Sequence, residues 1–414
     1  MSRIDDLIAK YCPNGVDYLC ISDLGEFVSG LKGKTKEDFE SGNAKYVSYK
    51  NVFENIEVDF SNLESVKIND GERQTKLQRG DLIFTSSSEN LDESGMTSVV
   101  TETLNEDIFL NSFCFFVHLP ESIQPEFAKY LFRSTDMRKK IIKCANGVTR
   151  YNISKKALSK IKFPVPPLEV QDEIARILDS FTKLEAELEA ELEARRKQYE
   201  YYRASLFDSV RLCAASTELT LGELGTWSGG GTPSKSVSSY WTEGYLWVSP
   251  KDMKQTVIFQ TEDQVSEEAV KSRGLRVYPS ESILLVARSG ILKHSLPVGI
   301  LEKQATVNQD IKALRVNSNV MPKYSLYALQ NYSQDILRKC HKAGGSVDSL
   351  DVKKLLAFQI PVPPLAEQER IVAILDKFDA LVNDLSSGLP AEIAARRKQY
   401  EYYRDRLLTF TPAK

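Results

Sequence analysis

At 414 residues, 42% of them hydrophobic, the chain is long enough for two or three domains of about 150 residues each. Its formal net charge is −3, so the total alone does not point to a polyanionic partner. No apolar run approaches the ~20 residues of a membrane span, and Met1–Asp6 lacks the apolar core that follows a signal peptide's basic start, so a cytoplasmic protein with no membrane contact is expected.

Residues 21–120 alternate short β-type runs with turns rich in Gly, Asn, Asp and Ser. Strands are expected at Tyr46–Tyr49, Asp81–Thr85, Ser98–Thr101 and Phe113–Val117. Residues 121–145 carry Phe127, Tyr130, Leu131, Ile141 and Ile142 at helical spacing. That stretch enters a basic run, Lys129 to Lys162, with 11 basic residues against one acid, Asp136. The second half repeats the plan. Strands are expected at Leu246–Val248, Ser282–Val286 and Ile311–Val316, and a helix from Tyr324 to about Lys339. Each half is therefore an α+β domain.

Charge is partitioned along the chain. Residues 1–163, 164–215, 216–360 and 361–414 have nets of −2, −4, +3 and 0. A basic run is ordinarily a solvated helix face. Here a weaker copy, Lys323 to Lys354 with six basic and three acidic residues, recurs in the other half. A positive field local to each half suits a polyanion whatever the total charge.

The segments after the two domains differ in kind. The first begins Phe163-Pro-Val-Pro-Pro-Leu168 and the second Ile360-Pro-Val-Pro-Pro-Leu365. Pro166-Pro167 and Pro363-Pro364 suit a helix start, where a missing N–H costs nothing. Apolar residues then recur three and four apart at Ile174, Leu178, Phe181, Leu184, Leu188 and Leu192, and again at Tyr199, Tyr202 and Leu206. The second segment has the same stripe through Ile371, Leu375, Phe378, Leu381, Leu385, Leu389, Ile393, Tyr400, Tyr403 and Leu407. Such a seam needs a partner helix. The two helices are near-copies and are expected to pair antiparallel, since each returns the chain to the opposite domain. The bland alternative is a helix packed on its own domain.

Both segments end in ten identical residues, Ala194–Arg203 and Ala395–Arg404, reading A-R-R-K-Q-Y-E-Y-Y-R. A repeat of roughly 200 residues is too long for a solenoid unit; it is a domain plus a helix, used twice. Inside the first helix Leu184, Leu188 and Leu192 each begin a Leu-Glu-Ala step. At the matching place the second helix has Ser386-Ser-Gly-Leu-Pro390, and the offset between copies changes from 197 to 201. Gly388 and Pro390 are expected to break or kink that helix.

This layout resembles the specificity subunit of type I restriction–modification systems over essentially the whole chain. The carrying residues are P-V-P-P-L-x-x-Q, then Ile174, Ile177-Leu-Asp179 or Ile371, Ile374-Leu-Asp376, then the ten-residue copies. Leu24-Gly25 leading to Ser29–Lys34, and Leu224-Gly225 leading to Ser228–Lys235 and Tyr240-Trp241, look like recognition-domain openings. The resemblance implies target recognition domains at 1–163 and 213–360. It implies conserved helical regions at 164–212 and 361–414, paired as an antiparallel coiled-coil spacer with a pseudo-twofold internal repeat. It further implies that the chain reads an asymmetric bipartite site in double-stranded DNA and docks two methyltransferase subunits, with the nuclease–translocase restriction subunits joining that complex. No catalytic centre of its own and no cofactor are implied.

The residues read independently agree. Gly229–Ser236 is the nearest thing to a phosphate-binding loop, but Ser234 stands where the pattern needs its second glycine. A glycine-rich turn offering N–H groups to a DNA phosphate and a plain turn both fit it better. The three histidines, at 118, 294 and 341, are widely spaced. The six cysteines, at 12, 20, 114, 144, 213 and 340, form no C-x-x-C pair and read as reduced thiols, with neither disulfide nor metal use expected.

Base and phosphate contacts call for Arg, Lys, Asn, Gln, Asp, Ser or Thr on loops. In the first domain these are Lys32, Lys34, Tyr49, Lys50, Asn51, Ser86, Ser87, Asn146, Arg150 and Tyr151, with Lys139, Lys140 and Lys143 on the basic helix. In the second they are Thr232, Ser234, Lys235, Ser249, Lys251, Asp252, Arg288, Ser289, Lys293, His294 and Gly345. Ordinary loop solvation is the competing reading for each. Trp241 and Trp247 read as core. A partner surface is expected at Arg195, Arg196 and Tyr199 and at Arg396, Arg397 and Tyr400, because seam packing alone does not require ten identical residues. Two other classes compete: a coiled-coil scaffold with two ligand domains and no DNA, and a free-standing two-domain enzyme. The basic runs oppose the first and the absent motifs the second.

The leucine steps make the first helix a ruler. Deleting Leu188–Glu191 removes about 6 Å of helix and keeps the stripe nearly in register. At ~3.4 Å per base pair, the preferred gap between half-sites should shrink by about one or two base pairs, with both half-sites unchanged. Mapping the sites methylated by the deletion variant tests this. An unaltered gap at full activity would mean the helix does not set the spacing.

Overall fold

The computed structural model describes residues 3–342, 347–383 and 387–413. Its chain forms two compact units, one of Met1–Leu188 with Ile393–Lys414, the other of Glu189–Glu392.

In the first unit the strand Asp81–Thr85 is buried at every position, so both of its faces must be covered. Side chains alternate across a strand. Leu82 and Phe84 lie in one core with Phe115, Phe127, Leu131 and Phe132, while Ile83 lies in another with Val47, Val52 and Leu110. Phe84 stacks on Phe115 at 5.4 Å between centroids and meets Phe132 edge-on at 6.2 Å. The strand is interior to a four-stranded antiparallel sheet ordered Val28–Ser29, Cys114–His118, Asp81–Thr85, Thr97–Val99. A second sheet places Ala44–Val47 between Glu64–Val66, antiparallel, and Ile108–Leu110, parallel.

The second unit repeats this plan with other side chains. Its larger sheet runs Gly225–Gly229, Ile311–Val316, Ile283–Val286, Val298–Leu301, Val257–Ile258. Its smaller sheet places Tyr245–Val248 between Asp263–Val265, antiparallel, and Ala305–Val307, parallel. In both units a two-stranded antiparallel ribbon precedes the helical region: Asp17–Cys20 with Lys162–Val165, and Thr217–Thr220 with Gln359–Val362.

The two helices expected at 121–145 and 324–339 are each divided. The first is Pro125–Leu131 and Thr135–Ile142, the second Pro322–Asn331 and Ser333–Cys340. In the first, Ser134 accepts a bond from the Met137 N–H and so caps a new helix where a continuous one was expected. Pro125 and Pro322 open the two pairs.

Leu168–Leu212 is one helix of 45 residues, about 68 Å long. Pro167 O accepts the N–H groups of Val170 and Gln171, so the proline pair starts the helix as expected. The second region comprises Leu365–Asn383 and Leu389–Leu407. Pro390 sits in the first turn of the latter, and Gly388 O accepts from Ala391 and Glu392. Leu385 and Ser386 lie outside the described residues.

The helices pair antiparallel. In the first unit Glu185 meets Arg397, and Phe181, one turn earlier, meets Tyr400 and Tyr403, one to two turns later, at 6.5 and 5.6 Å. In the second unit Phe378 meets Tyr199 and Tyr202 at 6.3 and 5.5 Å. Each pair is thus the repeat-mate of the other.

Candidate nucleic-acid interface

In the first unit the sheet edge and the basic run converge on a small three-stranded ribbon. Ala145–Asn146 pairs with Tyr151–Ile153, and that strand pairs with Ser87–Ser88. The turn between them projects: Val148 at its tip is 87% exposed. Gly147 has φ +132°, and a Cβ there would lie 2.0 Å from Arg150 O, so the turn needs glycine. Arg150 reaches back to place Nη2 3.1 Å from Ser87 Oγ and its guanidinium 5.8 Å from the exposed Phe113 ring. The Tyr49 hydroxyl donates to Ser87 O at 2.8 Å. Ser86 gives its N–H to Phe113 O and its carbonyl to the Ile153 N–H. Lys155 donates to Ser29 Oγ and lies 4.6 Å over Phe115. Burial lowers its pKa, with the charge of Lys32 adding to the effect. The structure therefore brings Tyr49, Ser86, Asn146, Arg150 and Tyr151 together at one ribbon, a cationic and aromatic surface with hydroxyls and an amide. They lie over Ser87, which is 6% exposed and bonded to Arg150. Phe113, Val148 and Lys155 belong to it too. Only Lys155 carried a sequence signal, its place in the basic run.

Other candidates of this domain are employed internally. Asn51 is 1% exposed. Its amide donates to Asp59 O and Asn62 O and accepts from the Asp59 N–H, so it organises a loop and offers no edge to a base. The Lys34 ammonium is held by Glu72 at 2.6 Å and by Lys67 O, with its side chain 4% exposed. That contact, helped by the Asn69 N–H and by Gln74, holds the Glu72 carboxyl down to about 2. Lys32 and Lys50 are exposed, the latter 3.9 Å from Glu54.

The basic run divides in the same way. Arg133 donates to four backbone carbonyls, of Thr97, Val52, Phe53 and Asn55. Arg138 donates to those of Gly95, Ser94 and Asp92. Burial lowers both to about 10, which leaves them charged at neutral pH. Lys140 pairs with Asp136 at 2.6 Å and also reaches Lys162 O. Lys139 and Lys143 are exposed one turn apart, just before the ribbon.

The second unit builds a counterpart from His341–Lys342 and Ser349–Leu350. Arg288 bridges to Ser349, as Ser87 pairs with Asn152 in the first unit. Asp348 O accepts the Ser289 N–H, and Asp348 Oδ1 lies 3.0 Å from His341 Nε2. That contact with His341 holds the Asp348 carboxyl below its ordinary value, the nearby Lys293 adding to it. Lys293 and His294 are exposed at the end of a short turn that Ser289 caps. Gly345 lies outside the described residues.

A second group follows the glycine-rich turn. Trp247 donates to Gly231 O, Trp241 donates to Ser234 O, and Lys235 lies 5.9 Å over the Trp241 ring. A Cβ on Gly230 would fall 1.7 Å from Val307 O, so close packing accounts for that glycine. The Thr232 hydroxyl donates to Gln309, and the Ser234 and Ser236 hydroxyls bond one another. Ser249 and Asp252 close on each other as a capping box, and Lys251 is shared between Glu262 and Asp263. These last three have local structural work.

On the helices, Tyr199 is 5% exposed and packs on Phe378, while Tyr400 packs on Phe181 and Tyr130. Both are seam residues, which corrects their expected place on the partner surface. The most exposed tyrosines of the ten-residue copies are Tyr201 at 70% and Tyr402 at 60%, each set edge-on against the next tyrosine, Tyr202 or Tyr403, which is exposed to a lesser degree. The spacing held that signal: with 199, 202 and 206 on the seam, 201 must face away. Arg195 contacts Glu191 and Gln198, Arg396 contacts Gln399, and Arg397 reaches Glu185. Arg196 lines a cleft with Tyr199, Arg203 and Asn383. Among the described residues no group of three His, Cys, Asp or Glu side chains is placed to hold a metal ion, and no helix is long and apolar enough to cross a membrane.

A family model described as type I restriction modification DNA specificity domain matches residues 13–194 and again residues 216–395. The type I restriction enzyme EcoR124I/EcoR124II specificity subunit of Escherichia coli is 48% identical over 264 residues, 62% of this chain and 65% of that one. The match thus spans a little under two thirds of that relative's length. A putative type I restriction enzyme specificity subunit of Haemophilus influenzae is 30% identical over 285 residues, 64% of this chain and 68% of that one. A solved chain, from work on complex assembly and conformational transition of the type I R-M system, shares the fold with a TM-score of 0.61. It does so at 16% identity, over 96% of this chain and 98% of that one.

Proposed function

The chain belongs to the family of type I restriction-modification DNA specificity domains and carries two copies of the domain; from that premise we propose that it reads a split site in double-stranded DNA, one copy per half. The observation that carries this reading is the pair of ribbons. Each lies at the same place in its unit, and the side chains differ, Arg150 and Tyr151 against Arg288, Ser289 and Asp348. Different readers at equivalent positions favour an asymmetric site. In this reading the first domain is 1–163 and the second 213–360, with 164–212 and 361–414 as helical regions. The subunit works in the cytoplasm, has no catalytic centre of its own, and joins restriction subunits through the modification complex. Exchanging residues 213–360 for another domain of the family should change one half of the methylated site and leave the other. A change in both halves would end the independent-reader idea.

The exposed lysines before the first ribbon are assigned to phosphates. Lys139→Gln with Lys143→Gln should weaken binding to specific and random duplexes alike. It should lower the slope of log K against log salt by about 0.9 for each phosphate no longer neutralised. An unchanged slope would place this face away from DNA.

Docking is assigned to the helix surface bearing Tyr201 and Tyr402, beside Arg195, Arg196, Arg396 and Arg397. Two identical faces fit two copies of one modification subunit. Exposed aromatic and arginine side chains are the residues on which association energy concentrates. Tyr201→Ser with Tyr402→Ser should leave thermal unfolding unchanged and weaken assembly with the modification subunits by about thirtyfold or more. Full assembly of this variant, measured by analytical ultracentrifugation, would move the docking surface elsewhere.

A further inference from the structure

The glutamine of P-V-P-P-L-x-x-Q is fully buried in both copies and makes the same three hydrogen bonds in each. Gln171 Nε2 donates to Pro166 O at 2.7 Å and Ser122 O at 2.8 Å, and its Oε1 accepts the Gln124 N–H at 2.8 Å. Gln368 Nε2 donates to Pro363 O at 2.8 Å and Asn319 O at 3.1 Å, and its Oε1 accepts the Met321 N–H at 2.8 Å. The amide thus ties the start of the helical region to the loop that opens the helix Pro125–Leu131, or Pro322–Asn331.

Eight residues further on there is a second tie. The Tyr130 hydroxyl donates to Asp179 at 2.6 Å, and the Tyr327 hydroxyl donates to Asp376 at 2.6 Å. Each aspartate also receives a lysine, from different places in the two copies. Lys129, next to Tyr130, lies 2.9 Å from Asp179; Lys323, one turn before Tyr327, lies 2.6 Å from Asp376. Lys129 also meets Glu57, which accepts from Thr101, so the first tie reaches into the domain's loops. Two sequences supply the same cation to the same aspartate by different routes. That is what a requirement on the aspartate produces, rather than an inherited accident.

Beyond these ties the first domain meets its helix through Arg3 with Glu173 and Tyr130 with Thr182. It meets the second helical region through Thr135 with Arg404 and Asp405. Among the described residues, the rest of the contact between each domain and its helix is mainly apolar. Phe127 and Leu131 share a core with Ile174 and Leu178, and Tyr324 and Leu326 share one with Ile371 and Leu375. Apolar burial is non-directional and tolerates sliding and rolling. Hydrogen bonds have narrow angular and distance ranges. One such point permits rotation about itself. Two points about 12 Å apart along a helix do not.

We propose that Gln171 with Asp179, and Gln368 with Asp376, are positioning residues. Each pair locks a recognition domain at one angle on its helix and so makes binding selective for the gap between the two half-sites. This inference rests on the split-site reading above and adds a determinant of gap length that lies outside the DNA-facing ribbons.

The test is binding by the full chain. The half-sites are first read from the bases methylated by the complete complex. Affinity is then measured for duplexes with the natural gap and with gaps one and two base pairs longer and shorter. The variant carries Asp179→Ala with Asp376→Ala, which keeps helix propensity and removes the second tie in both copies. Both aspartates are partly exposed, so no buried cavity is left. The wild-type protein should favour the natural gap, and the variant should lose about tenfold of that preference while keeping the same base requirements in each half. A variant as selective for gap length as the wild type overturns the clamp alone. A wild type that binds the split site with no gap preference also overturns it. A wild type that binds no split site overturns the underlying reading, and the clamp with it. Tyr130→Phe with Tyr327→Phe removes the hydroxyl bond of the same tie while keeping the packed rings and leaving the lysines on the aspartates. It should lose gap preference in the same direction, and it serves if the alanine variant does not fold. The merely structural alternative, lower stability with unchanged gap preference, counts against the proposal in either variant.

Discussion

Phe181 finds Tyr403 and Phe378 finds Tyr202, so each copy of the helical repeat takes from the other copy the rings that its own helix holds too far away. Tyr202 lies 21 residues beyond Phe181, about 30 Å along the same helix, and cannot fold back onto it. A helix with a stripe of leucines and aromatics gains most of its stability from burying that stripe. Here the reciprocal arrangement is isologous in kind: residue i of one copy meets j of the other, and j meets i. Such a contact demands that both copies keep both partners. That accounts for Phe, Tyr and Tyr recurring at matched places. Each aromatic pair contributes about 0.5–1.5 kcal/mol beyond its area burial. It does not account for Tyr201, Tyr402 or the arginines off the seam. Their identity in the two copies needs another cause, and the docking proposed above would supply one.

The helical regions were legible in the sequence because one period governs them over 40 residues. The strands Asp81–Thr85 and Ile311–Val316 were legible for a related reason: each is long enough for alternation or full burial to show. Strands of two or three residues, such as Ser87–Ser88 and Ala145–Asn146, carry no periodic signal. Their hydrogen bonds are set by what lies across from them, which is distant in sequence. The parallel pairing of Ala44–Val47 with Ile108–Leu110 was hidden for the same reason. A helix expected across 121–145 breaks at Ser134 because a side-chain cap outcompetes the apolar period that continues through it.

At the ribbons, composition pointed to a basic stretch and could not sort which of its members the fold employs internally. Arg133, Arg138 and Arg150 look alike in a basic run. The first two spend their donors on seven carbonyls: those of Val52, Phe53 and Asn55 at the end of the short helix Tyr49–Glu54, that of Thr97 at the start of a strand, and those of Asp92, Ser94 and Gly95 in the turn before it. Buried carbonyls without donors are costly, so these arginines hold up the surface on which Arg150 stands. Asn51 and Lys34 show the same competition. Their polarity suited DNA as well as it suited a loop, and only burial separates the two uses.

Charge follows the same division of labour. The −4 net of residues 164–215 comes largely from the Leu-Glu-Ala-Glu steps, whose carboxylates sit along a helix and partly pair one turn away with Lys183, Arg195 and Lys197. At physiological salt a charge is screened within about 8 Å. A formal sum over the chain therefore does not describe the local field of Lys139 and Lys143, exposed one turn apart just before the ribbon. What a phosphate meets there is set by the charges within one screening length, after the internally paired ones are struck out. The formal total of −3 measures solubility and says little about that surface.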